Sequence, residues 1–217
     1  MIEVMNNSLL ILSVFIFSFN TGLIAQNESE GVYLSANNYT IGKVSYSNNC
    51  PGRKHQLCLN EFSNSSSISI KIGDSVITLA KDAIFGFRDK QGKNYRFYKK
   101  SVFEILNPAE QILLYKNSLE VGSPKNKTLV INYYFSENAA SPIYPLTKHN
   151  LGIVFGNDVH FMELLNMYFH FDNELTVYDS LHKVYFLNCV FKESNLESEE
   201  RRNKLNEYES KCSIFYN

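Results

Sequence analysis

The chain has 217 residues, with 21 Lys and Arg against 22 Asp and Glu and a formal net charge of −1 at pH 7. Neutrality argues against nucleic acid as the main partner, because phosphate binding needs a basic footprint, and it leaves no field to steer the chain toward anionic lipid. Sixteen Phe and fourteen Tyr stand beside no Trp, a bias that follows from AT-rich codon choice together with the frequent Asn and Lys.

The first element is an apolar run, Leu9 to Phe19, interrupted by Ser13 and Ser18. Asn20, Thr21 and Gly22 relax it, and Ala25 offers a small residue to cut behind, which is the layout of a secretory signal peptide. The run is too short to cross a bilayer, which takes about 20 residues. Its leading residues carry Glu3 and no Lys or Arg, a departure from the usual positive start. No Cys precedes Cys50, so a lipoprotein anchor is not expected. The expectation is a cleaved leader over 1–25, a secreted or periplasmic protein and no membrane span after cleavage. Glu3 is the leader's only charged side chain, so 21 acids face 21 bases in the remainder.

Gln26 to Ser47 reads as a polar lead-in, with Tyr33 and Leu34 opening a strand or a short helix, and Asn60 to Ser67 as an exposed loop. Ile68, Ile70 and Ile72 then alternate with Ser67, Ser69 and Lys71, the period of a half-buried strand. Gly73-Asp74 turns the chain into Ser75 to Ala80, and Gly in the first central position suits a type II′ hairpin. A second hairpin runs from Ile84 to Arg88, through Asp89-Lys90-Gln91-Gly92, and back along Asn94 to Tyr98. Tyr95 and Phe97 share a face and Arg96 points away from them. A third pairs Val102–Leu106 with Gln111–Tyr115 across Asn107-Pro108-Ala109-Glu110, a type I turn with Pro at its second position. Gly122-Ser123-Pro124-Lys125 breaks the chain, and Thr128 to Phe135, apolar on both faces apart from Asn132, reads as a strand covered on both sides.

After Ser136 the texture changes. Pro142 and Pro145 mark a connector, and Thr147 caps a helix that ends at Phe155 before Gly156-Asn157. Asp158 caps the next, whose stripe is Phe161, Leu164, Leu165 and Tyr168. Asp172 or Asn173 opens a third, with Val177, Tyr178, Leu181, Val184 and Tyr185 on its apolar face. Ten of the nineteen residues from Glu193 to Lys211 are charged, a solvated helix or tail. Strands first and helices last predict an α+β fold, an antiparallel hairpin or meander sheet followed by three to four C-terminal helices. The expected division is a single domain over 26–192, β-rich over 26–136 and helical over 147–192, with a charged tail over 193–217.

The cysteines are Cys50, Cys58, Cys189 and Cys212, and an even number in an oxidising compartment invites disulfides with three connectivities open. Pro51-Gly52 can bring Cys50 and Cys58 together, and a Cys189–Cys212 bridge would tie the tail to the preceding helix. Zinc with His55 ranks last, because the Cys50 to Cys58 spacing fits no usual zinc knuckle.

Four stretches, Asp82-Ala-Ile-Phe-Gly-Phe-Arg-Asp89, Ile105-Leu-Asn-Pro-Ala-Glu-Gln-Ile-Leu-Leu-Tyr115, Ile131-Asn-Tyr-Tyr-Phe-Ser136 and Tyr178-Asp-Ser-Leu-His-Lys-Val-Tyr185, resemble those of uncharacterised secreted proteins of Gram-negative bacteria, over most of the chain up to about Asn188. The resemblance implies a bacterial, exported protein. It brings no activity and assigns no site residues, and it weakens a glycan reading of the Asn-x-Ser/Thr triplets at Asn27, Asn38, Asn64 and Asn126.

The constellations divide into sharp and plain readings. His170, Asp172 and Glu174 hold three metal-ligand types in five residues, yet helix capping and the macrodipole account for both acids. Asp179, Ser180 and His182 hold the side chains of a hydrolase triad, but a nucleophilic Ser needs free backbone N–H groups beside it; a structural Asp–His contact is expected instead. His160 and Glu163 belong to the polar face of their helix. The surface candidate is the basic, aromatic cluster of Lys93, Tyr95, Arg96 and Tyr98, able to hold an acidic protein, a glycan phosphate or a carboxylate; the plainer reading is an edge strand guarded by lysines. No catalytic, cofactor or metal site is assigned. The expected function is non-catalytic binding at the cell envelope, with an envelope protein or a glycan as partner. The alternative is an envelope hydrolase assembled from distant segments, and convergence of a His with a carboxylate in a cleft separates the two.

Overall fold

The computed structural model describes residues 30–47, 55–58, 65–72, 74–123 and 126–196. The expected leader, Cys50, Cys212 and the residues beyond Leu196 lie outside the described residues.

The strands are β1 (Gly31–Tyr33), β2 (His55–Cys58), β3 (Ser67–Ile72), β4 (Ser75–Ala80), β5 (Gly86–Arg88), β6 (Asn94–Tyr98), β7 (Ser101–Ile105), β8 (Leu113–Ser123), β9 (Asn126–Ser136), β10 (Tyr144–Pro145), β11 (Tyr178–Asp179) and β12 (Val184–Tyr185). The helices are α1 (Ala36–Thr40), α2 (Lys148–Phe155), α3 (Val159–Tyr168) and α4 (Phe186–Ser194), with a 3-10 turn over Asp172–Thr176. A seven-stranded antiparallel sheet runs β1-β5-β6-β7-β8-β9-β10, and β2-β3-β4 form a second sheet. The architecture is α+β. One helix, α1, precedes most of the strands, because Ser35 caps it by accepting the Asn38 amide at 3.1 Å.

Period-two patterning works as expected in the first half. Ile68 and Ile70 are buried on one face of β3, and Ile72 pairs with Ser75 of β4. The Asp89 loop is closed by its own carboxylate, which accepts the Gln91 and Lys93 amides at 2.9 Å each. The Asn107 turn is closed by the Glu110 amide on the Asn107 carbonyl at 3.1 Å, the bond of the expected turn. Gly86 is required where β5 meets β6, since a Cβ there would lie 1.9 Å from the Tyr95 carbonyl oxygen.

Register assigns the faces. Val32, Phe87, Tyr95, Phe97 and Val102 share one side through the pairs Val32↔Phe87, Phe87↔Tyr95 and Phe97↔Val102. Ile68 and Ile70 of the small sheet pack on that side. Farther along it, Leu114 and Phe135 meet the helices, in a core with Leu151, Phe155, Phe161, Leu165, Leu187 and Val190. The opposite side carries Tyr33, Phe103, Ile105, Leu113 and Tyr115, packed with Tyr39 of α1 and with Phe85. At about 25 cal/mol per Å² of apolar surface, each of these buried rings contributes roughly 2 kcal/mol.

The helical half follows its caps. Thr147 accepts the Asn150 amide at 3.1 Å and Asp158 the Phe161 amide at 2.9 Å. Phe161, Leu164 and Leu165 are the buried stripe of α3. The third predicted helix is a correction. Residues 172–176 make only a 3-10 turn, and Tyr178–Asp179 pairs with Val184–Tyr185 as a hairpin. Asp179 accepts the Leu181 and His182 amides at 2.8 and 3.1 Å, an Asx-type turn that outcompetes helix. Lys183 sits at φ 55° in the same turn. Leu181, placed on the predicted apolar face, is 73 % exposed. Helix resumes in α4, where Phe186 to Phe191 are all buried.

Candidate functional site

The expected surface cluster does not assemble. β6 lies between β5 and β7, so it is an interior strand and not an edge. Lys93 pairs with Glu104 at 3.3 Å, and Glu104 also holds Lys116 at 3.2 Å. Tyr95 stacks on Phe87 with ring centroids 4.6 Å apart and donates to Asp89 Oδ2 at 3.2 Å. Arg96 takes the other face and is buried. Its Nη1 donates to the Tyr115 hydroxyl at 3.0 Å and its Nη2 to the Ser141 carbonyl at 2.8 Å. The guanidinium also lies over the rings of Phe85, Tyr98 and Tyr115 at 5.3, 5.6 and 5.9 Å. Tyr98, half-buried, is thus a wall for Arg96. Burial pushes the Tyr115 phenol up, against the pull of Arg96 beside it.

The titratable constellations are local devices. Glu174 Oε2 accepts the His170 and Phe171 amides at 2.5 and 2.9 Å, and those bonds lower its carboxyl below the usual range. Asp172 accepts the Lys148 amide at 2.8 Å, so it caps α2 from a distance of 24 residues in sequence. Asp179 hydrogen-bonds the His182 ring, which is the leading cause of its lowered carboxyl. The Asp–His contact exists as expected, on a hairpin turn and not a helix flank. His160 lies 3.9 Å from Glu163 along α3. Cys189 is buried in α4 within the helical core. Cys58 stands in β2, and the expected disulfides through Cys50 and Cys212 lie outside the described residues.

What the chain offers to the outside is the far end of β8 and β9. β7 is in register with β8 only at Tyr115 and Lys116, and Asn117 adds a side-chain bond to the Val102 carbonyl at 2.8 Å. β10 meets β9 only at Phe135 and Tyr134, with one more bond from the Leu146 amide to the Tyr133 carbonyl at 3.0 Å. β8 and β9 nevertheless pair with each other from Leu113↔Ser136 out to Ser123↔Asn126. Residues 118–123 and 126–131 therefore form a two-stranded arm, and among the described residues no strand pairs with either outer edge of it. The expectation that Thr128–Phe135 is covered on both sides is corrected: Leu129, Val130 and Ile131 are 59, 39 and 44 % exposed.

Register again sorts the side chains. Leu119, Val121 and Val130 lie on one face and Leu129, Ile131 and Tyr133 on the other. Charge is confined to the Lys127–Glu120 ion pair at 2.5 Å and the flanking Lys116. Gly122 at φ 118° lets the strand close on Asn126, whose carbonyl oxygen would lie 2.3 Å from a Cβ there. Edge strands are ordinarily shortened, charged or covered, and contiguous exposed aliphatics mark interaction surfaces. The signal in sequence was the alternation of Leu119 and Val121 with Ser118 and Glu120, which extends β8 past Tyr115.

Comparison with protein-family profiles, curated proteins and solved structures gives no match.

Proposed function

We propose that this chain is an exported binding protein of the cell envelope, which docks an extended segment of a partner protein along the β8–β9 arm. The observation that carries the reading is the arm itself, with free edges on both strands and aliphatic side chains on both faces. A strand added to either edge satisfies the outward backbone N–H and C=O groups, and alternate side chains of the partner cover one aliphatic face. The apolar leader supports export. The neutral charge supports a protein over a nucleic acid as partner. No helix among the described residues is long and apolar enough to cross a membrane. Among the described residues the His160–Glu163 and His182–Asp179 contacts each join residues three apart in sequence and serve a helix or a turn, which favours binding over the hydrolase alternative.

The test is a photo-reactive residue at Val130, with a control at Met167, which is 61 % exposed on α3. In envelope extracts position 130 is expected to give one discrete adduct that Leu119→Asp with Val121→Asp, on the same face, abolishes, and position 167 none. Identical patterns from the two positions would overturn the reading. An adduct of twice the chain's mass would replace the partner with a second copy.

A further inference from the structure

Arg88 closes β5 at a pocket of about 370 Å³, at the end of the sheet away from the arm. This lies within the range of small-molecule sites. The wall comes from four segments: Tyr33 of β1, the end of α1 with Tyr39 and Ile41, the start of β6 at Asn94, and the β7–β8 turn at Pro108 and Ala109. Arg88 is the one charged residue among the lining residues, and no carboxylate is among them.

The guanidinium is held before any ligand arrives. Its Nε donates to Asn94 Oδ1 at 3.2 Å, and the same oxygen accepts the Tyr33 hydroxyl at 2.7 Å. Its plane rests over the Tyr33 ring at 5.7 Å. Asn94 is buried, so this frame is fixed by the sheet. Among the described residues neither Nη of Arg88 nor the Asn94 amide nitrogen has a hydrogen-bond acceptor. Tyr39 is 8 % exposed and forms part of the wall with its hydroxyl buried. The lining thus presents the Arg88 fork as its one positive charge, with no carboxylate among the lining residues to neutralise it.

We propose that this pocket binds a small organic carboxylate, its two oxygens on the Nη fork of Arg88 and its apolar body against Ile41, Pro108 and Ala109. A planar fork matches a carboxylate bidentately. One arginine neutralises one carboxylate, whereas a dianionic phosphate would be left with a charge among Ile41, Pro108 and Ala109. The buried Asn94 and the stacked Tyr33 reduce the entropy cost of ordering the fork.

The test is titration of the chain with hexanoate, hexanol and inorganic phosphate, followed by calorimetry and by NMR shifts at the Arg88 Nε–H and the Gly42 and Asn94 amides. Hexanoate is expected to bind with a dissociation constant in the low millimolar range or tighter, with shifts confined to those groups. Arg88→Gln is expected to weaken it at least tenfold. Should that variant unfold, Ala109→Glu serves instead: the site is an exposed turn position, and a carboxylate there occupies the fork and abolishes binding while the urea midpoint holds. Equal binding of hexanol, tighter binding of phosphate, unchanged binding in Ala109→Glu, or no shift at Arg88 each overturns the proposal.

Discussion

Asn107 and Asn188 donate their side-chain amides to one acceptor, the Ile112 carbonyl, at 2.7 and 3.0 Å. Asn107 also donates to Asn188 Oδ1 at 3.1 Å, and its own Oδ1 accepts the Leu114 amide at 2.6 Å. The β7–β8 turn and α4, 81 residues apart in sequence, are thereby locked by one buried polar knot. Each buried group stripped of its partner costs about 1–3 kcal/mol. Asn188→Ala is therefore expected to lower stability by about 2 kcal/mol, and Asn107→Ala by more, because it also orphans the Leu114 amide. Urea denaturation reads both, and an unchanged midpoint in Asn188→Ala would show that the knot does not hold α4.

Arg96 is a buried cation whose direct hydrogen bonds all go to neutral oxygens: the Tyr115 hydroxyl, the Ser136 hydroxyl at 3.4 Å and the Ser141 carbonyl. The rings of Phe85, Tyr98 and Tyr115 surround it. Arg96→Ala removes these bonds and leaves a void, and the expected loss is about 3 kcal/mol or more. Arg96→Lys restores the charge without the planar fork and is expected to recover less than half of the loss. Thermal unfolding of the three proteins checks the order, and a lysine variant as stable as the parent would refute the role of the fork.

These two knots mark where sequence stops being legible. The strands of the first half were readable because Ile68, Ile70, Tyr95 and Phe97 alternate, and the turns because Asp89, Asn107, Thr147 and Asp158 carry their own hydrogen-bonding chemistry. The hairpin at Tyr178–Tyr185 was misread because Val177, Tyr178, Leu181, Val184 and Tyr185 match a helical period by coincidence, while the deciding bonds come from the Asp179 carboxylate. Arg96 was legible as pointing away from Tyr95 and Phe97. That it points into a second core depends on Tyr115, Ser136 and Ser141, which are distant in sequence. The pocket at Arg88 joins β5 to four other segments for the same reason, and no local pattern announces it. The arm shows the opposite failure: an apolar run signals cover, and only the short reach of β7 and β10 leaves it bare.

Acid should reveal two turn-closing carboxylates, Asp179 and Glu174. The His182 ring first, and then backbone amides, hold Asp179 below the usual carboxylate range; the Phe171 and His170 amides do the same for Glu174. A depressed folded value adds stability that is complete above the unfolded carboxylate value of about 4 and is lost as pH falls through the folded value. Asp179→Asn and Glu174→Gln are thus expected to be less stable than the parent at neutral pH and to converge with it below about pH 4. Urea midpoints across the acid range measure the convergence. A gap that persists at the acid end would assign the effect to packing.

Excising the arm separates stability from docking. Leu119, Val121, Leu129, Val130 and Ile131 are exposed, so their removal forfeits little burial. Asn117 and Asn132 are a cross-strand pair at the base, and Asn117 is anchored there by its amide on the Val102 carbonyl at 2.8 Å. Replacing residues 118–131 with Asn-Gly offers a two-residue hairpin turn at that pair. The shortened chain is expected to unfold within about 1 kcal/mol of the parent, because exposed positions rarely cost more. It is also expected to be more soluble, since two free apolar edges have gone. If unfolding instead falls by several kcal/mol, the arm belongs to the core in solution, and its bare faces are not there to receive a partner.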